Sequence, residues 1–240
     1  MRLLLPEPRS LVDADLLDLY GVDAPRVRAG FVLSVDGGAA QDGSSRPLQT
    51  PADAVAMRSL RAVSDAVLVG AGTARSEDYG PVRLRAVAAD WRRAHGRAPR
   101  PPLVVVSRAL DLRPTDRCLS APAIVVTCAS ADPGRRSALA EVAEVVVAGD
   151  DEVDLPAALD ALAERGLVRV LCEGGPALLT ALVRAGRVDE LCLTVSPRLL
   201  GTAPTLLTQA LPEPVDLRLQ HLVGGDDGSL LVRYAVERPD

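Results

Sequence analysis

A carboxylate at the end of an apolar run, followed by two glycines and a proline, is the sharpest chemical signal in this chain: Leu171-Cys172-Glu173-Gly174-Gly175-Pro176. Proline at a helix start leaves the neighbouring backbone N–H groups free. With the positive end of the helix dipole they form an anion site suited to a pyrophosphate, built from Gly174, Gly175, Pro176, Ala177 and Leu178. An acid at a buried strand's end is costly unless something uses it, which marks Glu173 as functional.

A second stretch, Val69-Gly70-Ala71-Gly72-Thr73-Ala74-Arg75-Ser76-Glu77-Asp78-Tyr79, follows another apolar run. Gly70 and Gly72 let a ligand approach the backbone, and Thr73 can donate or accept. The sixth position of a G-x-G-x-x-G fingerprint falls on Arg75, so the standard dinucleotide motif is absent. Glu77 and Asp78 are either reactive carboxylates or a solvated loop. A third stretch, Ser34-Val35-Asp36-Gly37-Gly38, is either a ligand-binding strand end with two short polar side chains or an ordinary Asp-Gly turn. Ser107-Arg108 ends a further run, where an arginine suits the 2′-phosphate that separates NADP from NAD.

Composition removes other chemistries. The chain has no lysine, so all 27 basic residues are arginine, and Schiff-base catalysis and a P-loop lysine are excluded. Cys118, Cys128, Cys172 and Cys192 form no C-x-x-C pair and His95 and His221 stand apart, which argues against a zinc site. Unpaired cysteines suit a reducing cytosol, so the expected location is cytoplasmic. Five aromatic residues and a net charge of −5 fit neither a stacking platform nor a phosphate-tracking groove for nucleic acid. The opening Met1–Leu5 run, cut off by Pro6, is too short for a signal peptide, and no apolar run approaches the ~18 residues of a membrane span.

These residues need a scaffold, and the hydrophobic pattern supplies one. Short valine- and leucine-rich runs at Val27–Leu33, Ala66–Val69, Leu103–Val106, Ala123–Thr127, Glu144–Val147, Val168–Cys172 and Leu191–Val195 fit strands buried on both faces of a largely parallel sheet. Between them, Thr50-Pro51-Ala52-Asp53 reads as a helix start with Asp53 as its third-position carboxylate. Asp154 caps a second helix, and Pro176 opens a third that stops at Gly186. Residues 83–102 read as a short helix plus loop. Alternation from Val215, a glycine–aspartate turn and Leu230–Val236 predict a hairpin at the sheet's end, with His221 structural. One α/β domain over residues 1–240 is expected.

Taken in order, Phe31-Val32-Leu33-Ser34-Val35-Asp36-Gly37, Ser64–Thr73, Val170–Gly175, Val188-Asp189-Glu190-Leu191 and Ser196–Gly201 resemble the reductase domain of riboflavin biosynthesis. The resemblance implies a dihydrofolate reductase-like fold: three α/β/α layers around a mostly parallel mixed sheet with a C-terminal antiparallel hairpin. It implies NADPH-dependent reduction of a ribosylaminopyrimidine 5′-phosphate to its ribityl form, in a homodimer. Cofactor contacts are implied near Val32, Thr73, Glu77, Ser107 and the Gly175–Ala181 helix start, and substrate contacts at Ser45, Arg61, Arg83 and Glu173. Asp36 joins the substrate set, and Ser34, Gly70, Gly72 and Arg108 the cofactor set, from the reading of the strand ends.

Two departures fall where substrate is read. Tyr79 stands where the family usually has proline after its acidic pair, with Glu77 for the first Asp, and Pro47 stands at a usual tryptophan. The proton donor is left among Glu77, Asp78 and water. Two rival readings stay open: reduction of another pyrimidine or pterin such as dihydrofolate, and a non-catalytic NADPH-binding protein. The zinc deaminase motifs that accompany this domain in bifunctional relatives are absent.

Overall fold

A computed structural model describes residues 1–21, 23–120 and 122–237. Every run expected to be a strand is one, within two residues at each end. After β1 (Arg2–Leu5), β2 (Arg9–Ser10) and α1 (Asp15–Tyr20), the chain enters the long strand β3 (Arg26–Ser34). Helix α2 (Pro51–Ala62), β4 (Ala66–Gly70), α3 (Ala71–Ser76), α4 (Ala86–Ala94), β5 (Leu103–Val106) and β6 (Ala123–Thr127) follow. Then come α5 (Pro133–Ala140), β7 (Glu144–Val147), α6 (Leu155–Glu164), β8 (Arg169–Cys172), α7 (Pro176–Arg184), β9 (Glu190–Ser196), β10 (Leu217–Gly224) and β11 (Leu230–Val236).

All the strands join one sheet in the order β2-β1-β10-β11-β9-β3-β8-β4-β5-β6-β7. From β9 to β7 neighbouring strands run parallel, and β11, β10, β1 and β2 add antiparallel pairs at one side. The expected hairpin is present, but it does not end the sheet. The Met1–Leu5 segment, for which the sequence announces no element, pairs with β10 and carries β2 at the margin. Four residues of Arg and Leu before a Pro-Glu-Pro turn hold too little alternation to mark a strand.

Alternation along each central strand divides the core between two faces. In β4, Val67 and Val69 join α1 and α2, whereas Ala66 and Leu68 join α6 and α7. In β8, Leu171 faces the first layer, and Val170 and Cys172 the second. Apolar residues on both faces are the physical reason these runs lack polar alternation. His221 is buried beside the Tyr20 ring, and burial holds its pKa down at about 4. It is a core residue, as expected.

The start of α2 is held from two directions. Thr50 caps the helix by accepting from the Asp53 N–H, and the β10–β11 turn reinforces that end: Asp227 accepts from the Ala52 N–H at 2.8 Å. Although partial burial works against it, hydrogen bonds from Ser229 and the Ala52 amide bring the Asp227 carboxyl down to about 2. The Asp227→Ala variant should lose about 1 kcal/mol of unfolding free energy in urea titration at neutral pH. Because the folded-state value is depressed, the deficit should shrink as pH falls through 3.8 toward 2. A deficit unchanged by acid would show that the charge is not what caps α2.

Candidate functional site

Parallel strands deliver their C-terminal ends to one edge. There β4 ends at Gly70 and β8 at Cys172, and Glu173 follows directly. The strand ends are laced together: the Gly70 N–H donates to the Gly174 carbonyl at 2.7 Å and the Glu173 N–H to the Leu68 carbonyl at 2.9 Å. Above this edge, between α2 and the loop after α3, lies a cavity of about 620 Å³.

Glu173 lines this cavity and accepts three hydrogen bonds. Arg61 of α2 donates to it twice, Nε to Oε1 at 2.6 Å and Nη2 to Oε2 at 2.5 Å. The Tyr79 hydroxyl donates to Oε2 at 2.7 Å. The Glu173 side chain is 1% exposed, so its charge is expensive to leave alone, whereas Arg61 is 33% exposed and keeps part of its contact with water. Glu173 raises the Arg61 pKa; burial, aided by the Glu173 charge, pushes the Tyr79 phenol well above its usual value. Tyr79, the departure from the family pattern, thus completes the carboxylate's shell.

Glu77 and Ser45 also line the cavity, bonded to each other. Glu77 accepts from the Ser45 N–H at 2.8 Å and from the Ser44 hydroxyl at 3.1 Å, and pairs with Arg46 at 3.2 Å. It fastens the loop before α2 to the loop after α3, which leaves its oxygens little capacity for a reacting group. Asp78 pairs with Arg117 at the exposed rim. Arg83 and Arg58 line the same cavity and make no hydrogen bond or ion pair among the described residues.

A second cavity of about 630 Å³ adjoins the first along Thr73, Ser76, Gly175 and Pro176, and reaches Gly70, Gly72, Ala177 and Leu178. It faces the start of α7, whose cap residue Gly175 supplies no side chain to the first-turn amides. The glycine pair is required by packing. A Cβ on Gly174, at φ +94°, would sit 2.8 Å from the Phe31 ring, and one on Gly175 2.6 Å from Thr73 Oγ1. A Cβ on Gly72 would meet nothing within 4 Å, so its absence keeps the cradle open. Val32, with its neighbour Phe31, lines the first cavity.

Five expected residues line neither cavity, the first being Gly174, whose carbonyl accepts from the Gly70 N–H and whose α-carbon packs against Phe31. Asp36 accepts from the Leu200 and Gly201 amides at 3.1 and 2.7 Å, and bonds from the Ser34 hydroxyl and these amides hold its pKa at about 2. Ser34 Oγ also accepts from the Gly38 N–H at 2.8 Å. Because β3 and β9 are parallel neighbours, the loops after them lie side by side; Asp36 stitches them together and Ser34 closes its own turn, both outside the two cavities. Ser107 is buried at the end of β5, and Arg108 is exposed, paired with Glu152 at 3.1 Å; neither lines a cavity. Conversely, Asp53 and Met57 of α2 join the first cavity without having been expected there.

The model of the RibD C-terminal domain matches residues 25–231. The chain belongs to that family. It is 30% identical over 223 residues to the 2,5-diamino-6-ribosylamino-4(3H)-pyrimidinone 5′-phosphate reductase of Methanothermobacter thermautotrophicus, covering 89% of this chain and 99% of that one. The reductase of the same name from Archaeoglobus fulgidus is 33% identical over 144 residues, 59% of this chain and 66% of that one. Among solved structures, a pyrimidine reductase-like protein from Corynebacterium diphtheriae superposes with a TM-score of 0.82 at 32% identity, covering 90% of this chain and 93% of that one. The mixed sheet, parallel for most of its width with antiparallel strands at one side, is the dihydrofolate reductase-like arrangement that the resemblance implies. Among the described residues no helix is long and apolar enough to cross a membrane.

Removing Arg61 strands the Glu173 carboxylate in a buried setting. Arg61→Ala should therefore lower unfolding free energy by about 3 kcal/mol in chemical denaturation. A loss under about 1 kcal/mol would mean that the pair behaves as a solvent-screened surface pair and that Glu173 is not stranded.

Proposed function

We propose that this chain is a reductase that uses NADPH to convert the ribosyl chain of a ribosylaminopyrimidine 5′-phosphate into a ribityl chain. The observation that carries the reading is the Arg61–Glu173–Tyr79 cluster, set between a glycine-walled anion cradle and a cavity bearing uncommitted arginines. The names of the archaeal reductases support the substrate class.

The residues fit the cofactor. The open space over Gly72, the uncapped start of α7 and the Thr73 hydroxyl suit a pyrophosphate. Arg108, outside both cavities, donates to the Asp151 carbonyl at 3.0 Å and pairs with Glu152 at the surface, exposed contacts of little strength that a 2′-phosphate would displace. When bound, NADPH supplies the hydride. The protein's part is positioning and charge placement. Glu173, fixed by Arg61 and Tyr79, accepts a hydrogen bond from a sugar hydroxyl. Arg83 and Arg58 bind the substrate phosphate, which guanidinium groups meet bidentately. Arg61 lies beside them, but Glu173 takes two of its three nitrogens.

Loss of reduced-nicotinamide absorbance on mixing protein, NADPH and the ribosylaminopyrimidine phosphate tests the reading. Steady turnover is expected, at least tenfold slower in Glu173→Gln, with NADPH affinity by fluorescence titration nearly unchanged. Oxidation with dihydrofolate and none with the ribosylaminopyrimidine would move the activity to a pterin. No oxidation with either would leave a binding protein. Arg108→Ala should weaken NADPH binding about tenfold and leave NADH binding alone; equal loss for both would remove Arg108 from the 2′-phosphate.

A further inference from the structure

We propose that Asp53 is the acid that delivers a proton to the substrate as it is reduced. The inference rests on the reductase reading and assigns the proton donor that reading lacks.

Four acidic side chains line the first cavity, and three are committed. Glu173 accepts from Arg61 and Tyr79, Glu77 from Ser44, Ser45 and Arg46, and Asp78 is paired with Arg117 at the rim. The Tyr79 hydroxyl is spent on Glu173. Asp53 differs. It lines the cavity at 3% exposure, and its buried Oδ1 has no hydrogen-bond partner. An ionised carboxylate with an orphaned oxygen is expensive to bury, whereas the neutral acid avoids most of that cost.

The surroundings act in the same direction. Burial pushes the Asp53 pKa up; the Glu173 and Asp227 charges add to it, while a bond from the Thr194 hydroxyl and the Arg61 charge oppose it. These groups come from β8's end, the hairpin turn, β9 and α2 itself, and the buried Tyr20 phenol of α1 also feels the Asp53 charge. Two acids in one cavity are thereby given opposite tasks. Glu173 is tied to a cation and accepts; Asp53 is withheld from one and donates.

The step balances. With the substrate in its open imine form, hydride adds to C1′ and the C1′=N π pair moves onto nitrogen. The Asp53 O–H bond breaks and an N–H bond forms at that nitrogen. The carboxylate left behind recovers its proton from water at the cavity mouth, so one proton is consumed per turnover.

The test is the pH dependence of kcat at saturating NADPH and ribosylaminopyrimidine phosphate, paired with thermal melts, for the wild type, Asp53→Asn and Asp53→Glu. A proton donor must be protonated, so wild-type kcat should fall as pH rises past the ordinary carboxylate range. Asp53→Asn should lose that limb and about a hundredfold in kcat with KM little changed, and Asp53→Glu should regain the limb. The melts give a readout independent of turnover. Since the folded-state pKa is raised, the stability that the neutral acid contributes is complete at low pH and fades as pH rises through that value. The Tm of Asp53→Asn should match the wild type in acid and exceed it increasingly toward neutrality. A variant within threefold of wild-type kcat, a limb that survives in it, or a Tm gap flat with pH would each overturn the assignment while wild-type turnover stands. No wild-type turnover at all would overturn the substrate reading, and the delivery step with it.

Discussion

The contact between Glu173 and Arg61 holds the site together. It joins the end of β8 to the last turn of α2, and through the Tyr79 hydroxyl it draws in the loop after α3. Three elements distant in sequence meet on two carboxylate oxygens that water barely reaches. Removing a partner leaves a buried charge without compensation, so the geometry is over-determined, as a site that positions rather than reacts requires.

The sheet makes that contact possible. Parallel strands with apolar side chains on both faces send all their C-terminal ends to one edge, where loops and helix starts gather. Glycine is needed at two consecutive positions, because Phe31 and Thr73 occupy the space where Cβ atoms of 174 and 175 would go. The opening of the neighbouring cradle follows from that packing. On the other side, the β10–β11 turn caps α2, so a hairpin that does not itself line the cavity helps to aim Asp53, Met57 and Arg61.

The strands were legible because buried parallel strands carry a signal that needs no partner to be recognised: an unbroken valine-rich run between turn residues. The motif around Glu173 was legible for a similar reason, since an acid, two glycines and a helix-opening proline are each unusual there. Asp53 was not. A carboxylate three residues into a helix after Thr-Pro is the ordinary start signal, and nothing local distinguishes one that caps from one that turns under the helix into a cavity. Ser34 and Asp36 misled for the opposite reason. Their strand-end position suits a ligand, but the parallel neighbour β9 brings a second loop whose amides claim Asp36, and Gly38 of the same turn claims the Ser34 hydroxyl. Tyr79 stood out only as a departure from the family pattern; its hydrogen bond to Glu173 gives that departure a physical role.

The most direct measurement is a crystal structure of the chain with NADPH and the ribosylaminopyrimidine phosphate bound together. The pyrophosphate is expected on the first-turn amides of α7 beside Gly72. C1′ of the substrate is expected between Asp53 and Glu173, with its phosphate on Arg58 and Arg83. A substrate lodged away from Glu173, or a pyrophosphate bound anywhere but the start of α7, would contradict the proposed site.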